Sequence, residues 1–358
     1  MNLDDLAIIQ RIDSQNMLAE IDGLPDQLTS AWALGQTLPD PGRGMVPAQI
    51  RQVVITGMGG SAIGADLLAA YISPLCKIPV VVHRDYGLPA WAGGGETLVI
   101  ASSHSGNTEE TLDAFETALN NGCRMVSVCT GGELAQRAAQ KEIVCWQFPH
   151  KGQPRAAVGF SFGLLLAMFH RLGMIPDQEA EVEIAVAEMK KQQASLIASV
   201  PVVHNPAKRY AGQLIGRWVS VYGAGILSPV ARRWKGQINE LAKAGANFEY
   251  LPEADHNAFA ALINPPDLLM PRTMTMFLRC ASDHPRNRLR SDFTRQGFMH
   301  EGLNTDVYKA RGNRPLSQMW TALHFGDYLG FYLAIAYQAD PTPVDALQNL
   351  KAALKDAG

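Results

Sequence analysis

From residue 52 onward the chain repeats one pattern. A short run of uninterrupted apolar residues closes on glycine or small polar residues, and a segment of helical periodicity follows. Val53-Val54-Ile55-Thr56 runs into Gly57-Met58-Gly59-Gly60-Ser61 and then into a helical stretch at 62–71. Further strands are predicted at 80–83, 97–101, 124–129 and 143–148, with helices at 109–120 and 132–140. Strands that are apolar on both faces and alternate with helices form parallel sheets covered on both sides, so the pattern predicts a doubly wound α/β unit. An apolar helix at 158–170 and a mixed Glu/Lys/Ala helix at 177–199 follow.

The pattern then starts again. Strands are predicted at 218–222, 247–251, 273–278 and 306–311, with helices at 230–244, 287–296 and 318–339, and Gly223-Ala224-Gly225 repeats the first glycine turn. The length of 358 residues fits two such units better than one. The expected division is an N-terminal helical segment (1–46), a first unit (47–175), a helical connector (176–204) and a second unit ending in a helical tail (205–358). The N-terminal segment, one or two helices around Leu6, Ile9, Ile12, Met17 and Ile21, is expected to pack on the outside of the first unit and to carry no chemistry.

Composition removes several function classes. A formal net charge of −3 and a densest basic cluster of only Arg286, Arg288 and Arg290 argue against nucleic acid as a partner. The longest apolar stretch, 158–169, is too short to span a bilayer, and the first five residues are acidic where a secretory signal would be basic. The expectation is a cytoplasmic protein. Five cysteines without C-x-x-C spacing read as buried free thiols, not as a zinc site.

The candidate chemistry gathers at strand ends. Ser103-His104-Ser105-Gly106-Asn107-Thr108 follows the third strand and opens a helix, offering hydroxyls and free backbone amides to an oxyanion such as phosphate. The competing reading makes Asn107 or Thr108 an ordinary helix cap. Gly57, Gly59 and Ala62 satisfy G-x-G-x-x-A, with Asp85 after the second strand, so a nicotinamide-dependent oxidoreductase is a further alternative resting on that match alone. Arg155 stands at the mouth of the apolar helix. In the second unit, Glu240 follows Asn239 on a helix, where a pair with Lys243 at helical spacing is the plain alternative. Asp255-His256-Asn257 lies in a loop, and a carboxylate and an imidazole brought over the anion site would make an acid–base pair.

Taken together, Gly57 to Gly64, Ser103 to Thr108, Pro154-Arg155-Ala156-Ala157, Asn239-Glu240 and Asp255-His256-Asn257 occur in an order and spacing that resembles the bifunctional phosphoglucose/phosphomannose isomerases, of the sugar isomerase (SIS) domain superfamily. The resemblance runs from about residue 50 to the C-terminus. It implies two SIS domains, a homodimer, no cofactor and no metal, and a sugar 6-phosphate substrate. By position, Gly60, Ser61, Ser103, Ser105 and Thr108 would hold the phosphate. Arg155 would stabilise an enediolate, Glu240 would shuttle the proton, and His256, reaching over from the neighbouring subunit, would open the sugar ring. A C-terminal lysine would complete the site, Lys351 or else Lys355. The family usually has Tyr where this chain has His104. The same cradle without proton chemistry would serve a sugar-phosphate-binding regulator, the alternative function.

Overall fold

A computed structural model describes residues 2–357. Two parallel sheets form its frame. The first joins β1 (Gln52–Thr56), β2 (Val80–His83), β3 (Thr97–Ser103), β4 (Arg124–Cys129) and β5 (Val144–Gln147) in the order β2-β1-β3-β4-β5. The second joins β6 (Trp218–Ala224), β7 (Ala246–Leu251), β8 (Thr273–Arg279) and β9 (Thr305–Lys309) in the order β7-β6-β8-β9. Both are wound from their first strand outward, so each order reverses beside that strand, between β1 and β3 and between β6 and β8. At such switch points the loops leave in opposite directions and open a crevice at the carboxyl ends of the strands. Every residue of β3 is buried, as a central parallel strand requires.

Helices cover these sheets. In chain order they are α1 (Leu6–Ile12), α2 (Met17–Asp22), α3 (Leu24–Thr37), α4 (Gly59–Ile72), α5 (Glu109–Asn120), α6 (Gly132–Gln140), α7 (Val158–Arg171) and α8 (Glu179–Gln193). The second half adds α9 (Pro206–Leu214), α10 (Ser228–Ala242), α11 (Pro266–Arg272), α12 (Pro285–His300), α13 (Pro315–Ala336) and α14 (Asp345–Ala357). The strands and most helices lie within a few residues of their expected positions. Two helices stand where none was expected. Helix α9 is short, held by Asn205 accepting from the Lys208 amide, and α11 contains Pro271 and buries none of its residues.

The N-terminal segment departs from expectation. It forms three helices, and it packs between the halves instead of outside the first one. Leu24, Leu28 and Ala31 of α3 are fully buried, with α3 against α7 and α8 and α2 against α13. The Gln27 side chain accepts from the amides of Gly159 and Phe160 at the start of α7 (2.7 and 3.3 Å), and the Ile21 carbonyl meets His324 Nε2 of α13 at 2.8 Å. Helix α10 packs directly on α4, closing the two halves on each other.

All five cysteines are free, but only Cys129 and Cys280 are buried; Cys76, Cys123 and Cys145 are half-buried. Among the described residues no helix is long and apolar enough to cross a membrane, and no cluster of three or more His, Cys, Asp or Glu is arranged to hold a metal.

Candidate active site

The crevice at the β1/β3 switch point carries the hydroxyls. Ser61, in the first turn of α4, accepts from the His104 amide at 3.1 Å. Ser103 accepts from the Gly106 amide at 3.1 Å and shares a proton with Thr108 across 2.8 Å, and Ser105 accepts from the Asn107 amide at 3.2 Å. An accepting lone pair is thus committed on Ser61, Ser103 and Ser105, and the Ser103–Thr108 bond uses one of that pair's two protons, which leaves three O–H donors for an anion. The amides of Gly59 and Gly60 at the start of α4 have no helical acceptor and add to the same pole. Thr108 occupies the N-cap position of α5 without capping it, since its hydroxyl goes to Ser103. Asn107 instead caps the neighbouring helix, its Oδ1 accepting from the Glu133 amide at 2.9 Å. Neither residue therefore caps α5 through its side chain, and hydroxyl protons remain for something else.

Glycines at this turn are required by packing. A Cβ on Gly57 would stand 2.7 Å from the Ser102 carbonyl oxygen, and one on Gly60 would stand 2.4 Å from that of Pro154. Gly60 thereby admits the short turn that carries Arg155. The G-x-G-x-x-A match has this local explanation without a dinucleotide, and Asp85 lies exposed at the end of β2 with its carboxylate on the Tyr86 amide.

A cavity of about 290 Å³ lies between the N-terminus of α4 and one face of α10, lined among others by Gly60, Arg155 and Glu240. Arg155 is 5% exposed and donates through Nη2 to the carbonyls of Pro341 (2.8 Å) and Thr342, while its Nη1 stands 3.7 Å from Glu240 Oε2. Its Nε is buried without a partner. Burial, the dominant cause, disfavours the Arg155 charge, and Glu240 favours it. A guanidinium so placed holds a permanent positive charge with one donor unpartnered, suited to an oxygen that becomes negative. Glu240, with a side chain one-third exposed, is a carboxylate within reach of the same point. The alternative pair with Lys243 does not form: Lys243 has left the helix in a left-handed conformation (φ 52°), and its Nζ goes to the carbonyls of Leu241 and Asp340.

Two expected participants stand apart. His256 is exposed in the turn after β7 and does not line the cavity, and its neighbour Asp255 binds Arg290 (2.9 Å) and Thr294 (2.7 Å) instead of the imidazole. Lys351 and Lys355 are exposed on α14, also outside the cavity.

Other residues join the site without a signal in the sequence. The 341–342 backbone that braces Arg155 is one group. Another is a side-chain chain behind the cradle: His104 Nε2 meets His150 Nδ1 at 2.9 Å, and His150 Nε2 faces Glu20 Oε2 of α2 at 3.4 Å. The carboxylate can only accept, so it sets both tautomers. With both rings neutral, His150 donates through Nε2 to Glu20 and accepts at Nδ1 from His104 Nε2, which leaves His104 Nδ1 as an acceptor. Burial and the facing His150 push the His104 pKa down to about 4, so the ring is neutral near pH 7. The N-terminal segment, expected to be inert, supplies the end of this chain.

Comparison with known proteins bears on the whole chain. Residues 203–354 match the family described as the bacterial phospho-glucose isomerase C-terminal SIS domain. A bifunctional phosphoglucose/phosphomannose isomerase of Caldicellulosiruptor bescii is 39% identical over 347 residues, covering 95% of this chain and 100% of the relative. One from Aquifex aeolicus is 32% identical over 304 residues, covering 85% of this chain and 90% of the relative. Among solved structures, the tagatose-6-phosphate ketose/aldose isomerase of Escherichia coli superposes with a TM-score of 0.71 at 17% identity, covering 91% of this chain and 95% of that one, a likeness of fold.

Proposed function

The chain belongs to the bifunctional phosphoglucose/phosphomannose isomerases, and from that premise we propose that it interconverts fructose 6-phosphate with glucose 6-phosphate and mannose 6-phosphate through a cis-enediol. The observation that carries this reading is the Arg155–Glu240 pair, 3.7 Å apart, one residue from each half, at the cavity that Gly60 lines beside the hydroxyl cradle. A binder without chemistry needs the cradle alone and has no use for a carboxylate beside a buried cation.

In this reading Ser61, Ser103, Ser105 and Thr108 hold the phosphate with the Gly60 amide and fix the reacting carbons over Glu240. Glu240 takes the proton from the carbon next to the carbonyl and returns it to the neighbouring carbon. Arg155 holds the enediolate oxygen meanwhile, always charged and already desolvated. Proton transfer by a positioned carboxylate contributes about 10²–10⁴-fold, and the remainder comes from positioning and electrostatics. Glucose and mannose phosphates differ only at C2 and share one planar enediol, so reprotonation on either face gives either aldose.

Ring opening falls to His256 of a second copy, in a homodimer. The exposed position of His256 and the exposed Phe259, Leu289 and Phe293, which line one groove with Asp255, support it, since apolar side chains gathered on one region of surface suit an interface. Lys351 is the better candidate for the C-terminal lysine. At helical spacing it shares a face with the exposed Leu347, Leu350 and Leu354, so docking that face carries its ammonium inward. The two units, 47–175 and 205–358 with connector 176–204, act as two SIS domains, the segment 1–46 lies across both, and the five free thiols suit a reducing cytoplasm.

Proton NMR of fructose 6-phosphate in D₂O tests the proposal. The expected result is both aldose phosphates carrying deuterium at C2, with Glu240→Gln lowering turnover by about 10²–10⁴-fold while sugar-phosphate binding persists. Full turnover by that variant would overturn the assignment of the base.

A further inference from the structure

The cavity carries more positive charge than a monophosphate needs. Its lining includes Arg84, Arg155, Arg232, Arg233 and Lys235, against Glu240 as the lining carboxylate. Arg155 is committed to Glu240 and two carbonyls. Arg233 is committed to Asp327, bidentate at 3.0 and 2.8 Å with both side chains buried. The other three are under-neutralised. Arg84, from the first half, and Arg232, from the second, share the single carboxylate Asp66, with Arg232 at 3.3 Å and its side chain 41% exposed. Among the described residues Lys235 makes no ion pair. Burial and the adjacent Arg84 both work against the Arg232 charge, a cost that an incoming anion would relieve.

The topology sets the distance between this group and the cradle. Thr56 of β1 is in register with His83 of β2 on one side and Ala101 of β3 on the other. Arg84 therefore leaves the sheet level with Ser103 but two strands away, about 10 Å between backbones at the usual strand spacing, and its guanidinium turns onto α4, donating to the Ala62 carbonyl at 3.0 Å. A six-carbon chain with an anionic group at each end spans such a gap, and α10 brings Arg232 and Lys235 to the far end, one helical turn apart.

We propose that Arg84, Arg232 and Lys235 form a second anion subsite, and that the cleft takes ketohexose 1,6-bisphosphates, with the 6-phosphate in the hydroxyl cradle and the 1-phosphate on the cations. This rests on the isomerase reading for the placement of the 6-phosphate. Such a ligand is a dead end there. Its C1 oxygen is esterified, so no aldehyde can form at C1, and it competes with substrate without turning over.

Fructose 1,6-bisphosphate is the probe, with calorimetry for binding and the isomerase assay for competition. The expected result is competitive inhibition with a dissociation constant below that of fructose 6-phosphate. Arg232→Gln and Lys235→Gln are each expected to weaken the bisphosphate by about tenfold or more and to leave the KM for fructose 6-phosphate unchanged. Lys235→Gln touches no ion pair of the fold, so its result stands even if Arg232→Gln loosens the contact between the halves. A bisphosphate that binds no better than the monophosphate overturns the subsite, and so does a parallel rise in KM and inhibition constant, which would give these cations to the substrate's own phosphate. Calorimetry does not depend on turnover, so loss of the isomerase reading and loss of the subsite give different results.

Discussion

The two halves wind their sheets in the same way and present opposite surfaces at corresponding places. After β3 the first half has hydroxyls whose acceptor pairs are taken by backbone amides. After β8, its counterpart, the second half has the buried Asp283, which accepts from the Cys280 amide at 2.9 Å, so a carboxylate stands where an anion would have to bind. Helix α4 begins with Gly59 and Gly60, both with free amides, whereas α10 begins with Pro229 in its first turn, and a Cβ on Gly223 would stand 2.3 Å from the Leu227 carbonyl oxygen. The second half instead uses the flank of α10, where Arg232, Lys235 and Glu240 face the cavity. One topology can supply a site through its loop ends or through a helix face, and here each half does one of the two.

The largest expected effect comes from releasing that helix face. Arg233 lines the cavity wall with its guanidinium anchored to Asp327 of α13, and both ions are buried. Asp327→Ala strands the guanidinium and is expected to cost about 3–5 kcal/mol, read as a drop in urea midpoint at constant m-value. If the pair also orients α10, turnover falls further than the unfolded fraction explains under conditions where the variant is still folded. Unchanged turnover in the folded variant would mean that α10 is oriented by its apolar packing alone.

The same contrast explains how much could be read in the residues. The sheets were legible because each strand is apolar throughout and each crossover is helical, so period and length agree. The cradle was legible because two serines, an Asn and a Thr beside a glycine within six residues exceed what a helix cap uses. Glu240 was legible only through resemblance, since a Glu on a helix between lysines has no local mark of its partner. The 341–342 carbonyls, Glu20 and His150 left no trace, because backbone groups have no signature and the His104–His150–Glu20 chain joins residues far apart in sequence. The misplaced N-terminal segment has a similar cause: its apolar stripe announced burial but could not announce between which surfaces.

A smaller and sharper test compares the strand ends and loops at β3 and β8. Ser103→Ala removes a hydroxyl from the cradle, and Ser282→Ala removes an exposed one from the loop after β8. A hydrogen bond to a charged group is worth about 1.5–3 kcal/mol, so Ser103→Ala is expected to raise KM for fructose 6-phosphate by about 10–100-fold. Ser282→Ala should leave KM and kcat as they are. Equal effects would erase the distinction between a loop that binds and its duplicate that does not.

The smallest expected effect concerns pH, and it separates the halves again, because the imidazole chain lies behind the first half's cradle alone. The His104 pKa falls from its ordinary 6.5 to about 4 on folding, driven by burial and then by His150. The unfolded chain therefore binds the extra proton first. Stability from this group is complete above pH 6.5 and is lost progressively as pH falls toward 4, where the folded state also protonates. Buried His324 of α13 is shifted in the same direction, so the wild-type slope alone does not isolate the cradle. The difference between wild type and His104→Gln does. Urea midpoints measured at pH 7.5 and pH 5 should fall more for the wild type, since glutamine keeps a polar side chain without a titrating ring. Parallel falls would mean that the ring is protonated in the folded chain as readily as in water, and that the tautomer order set by Glu20 does not hold.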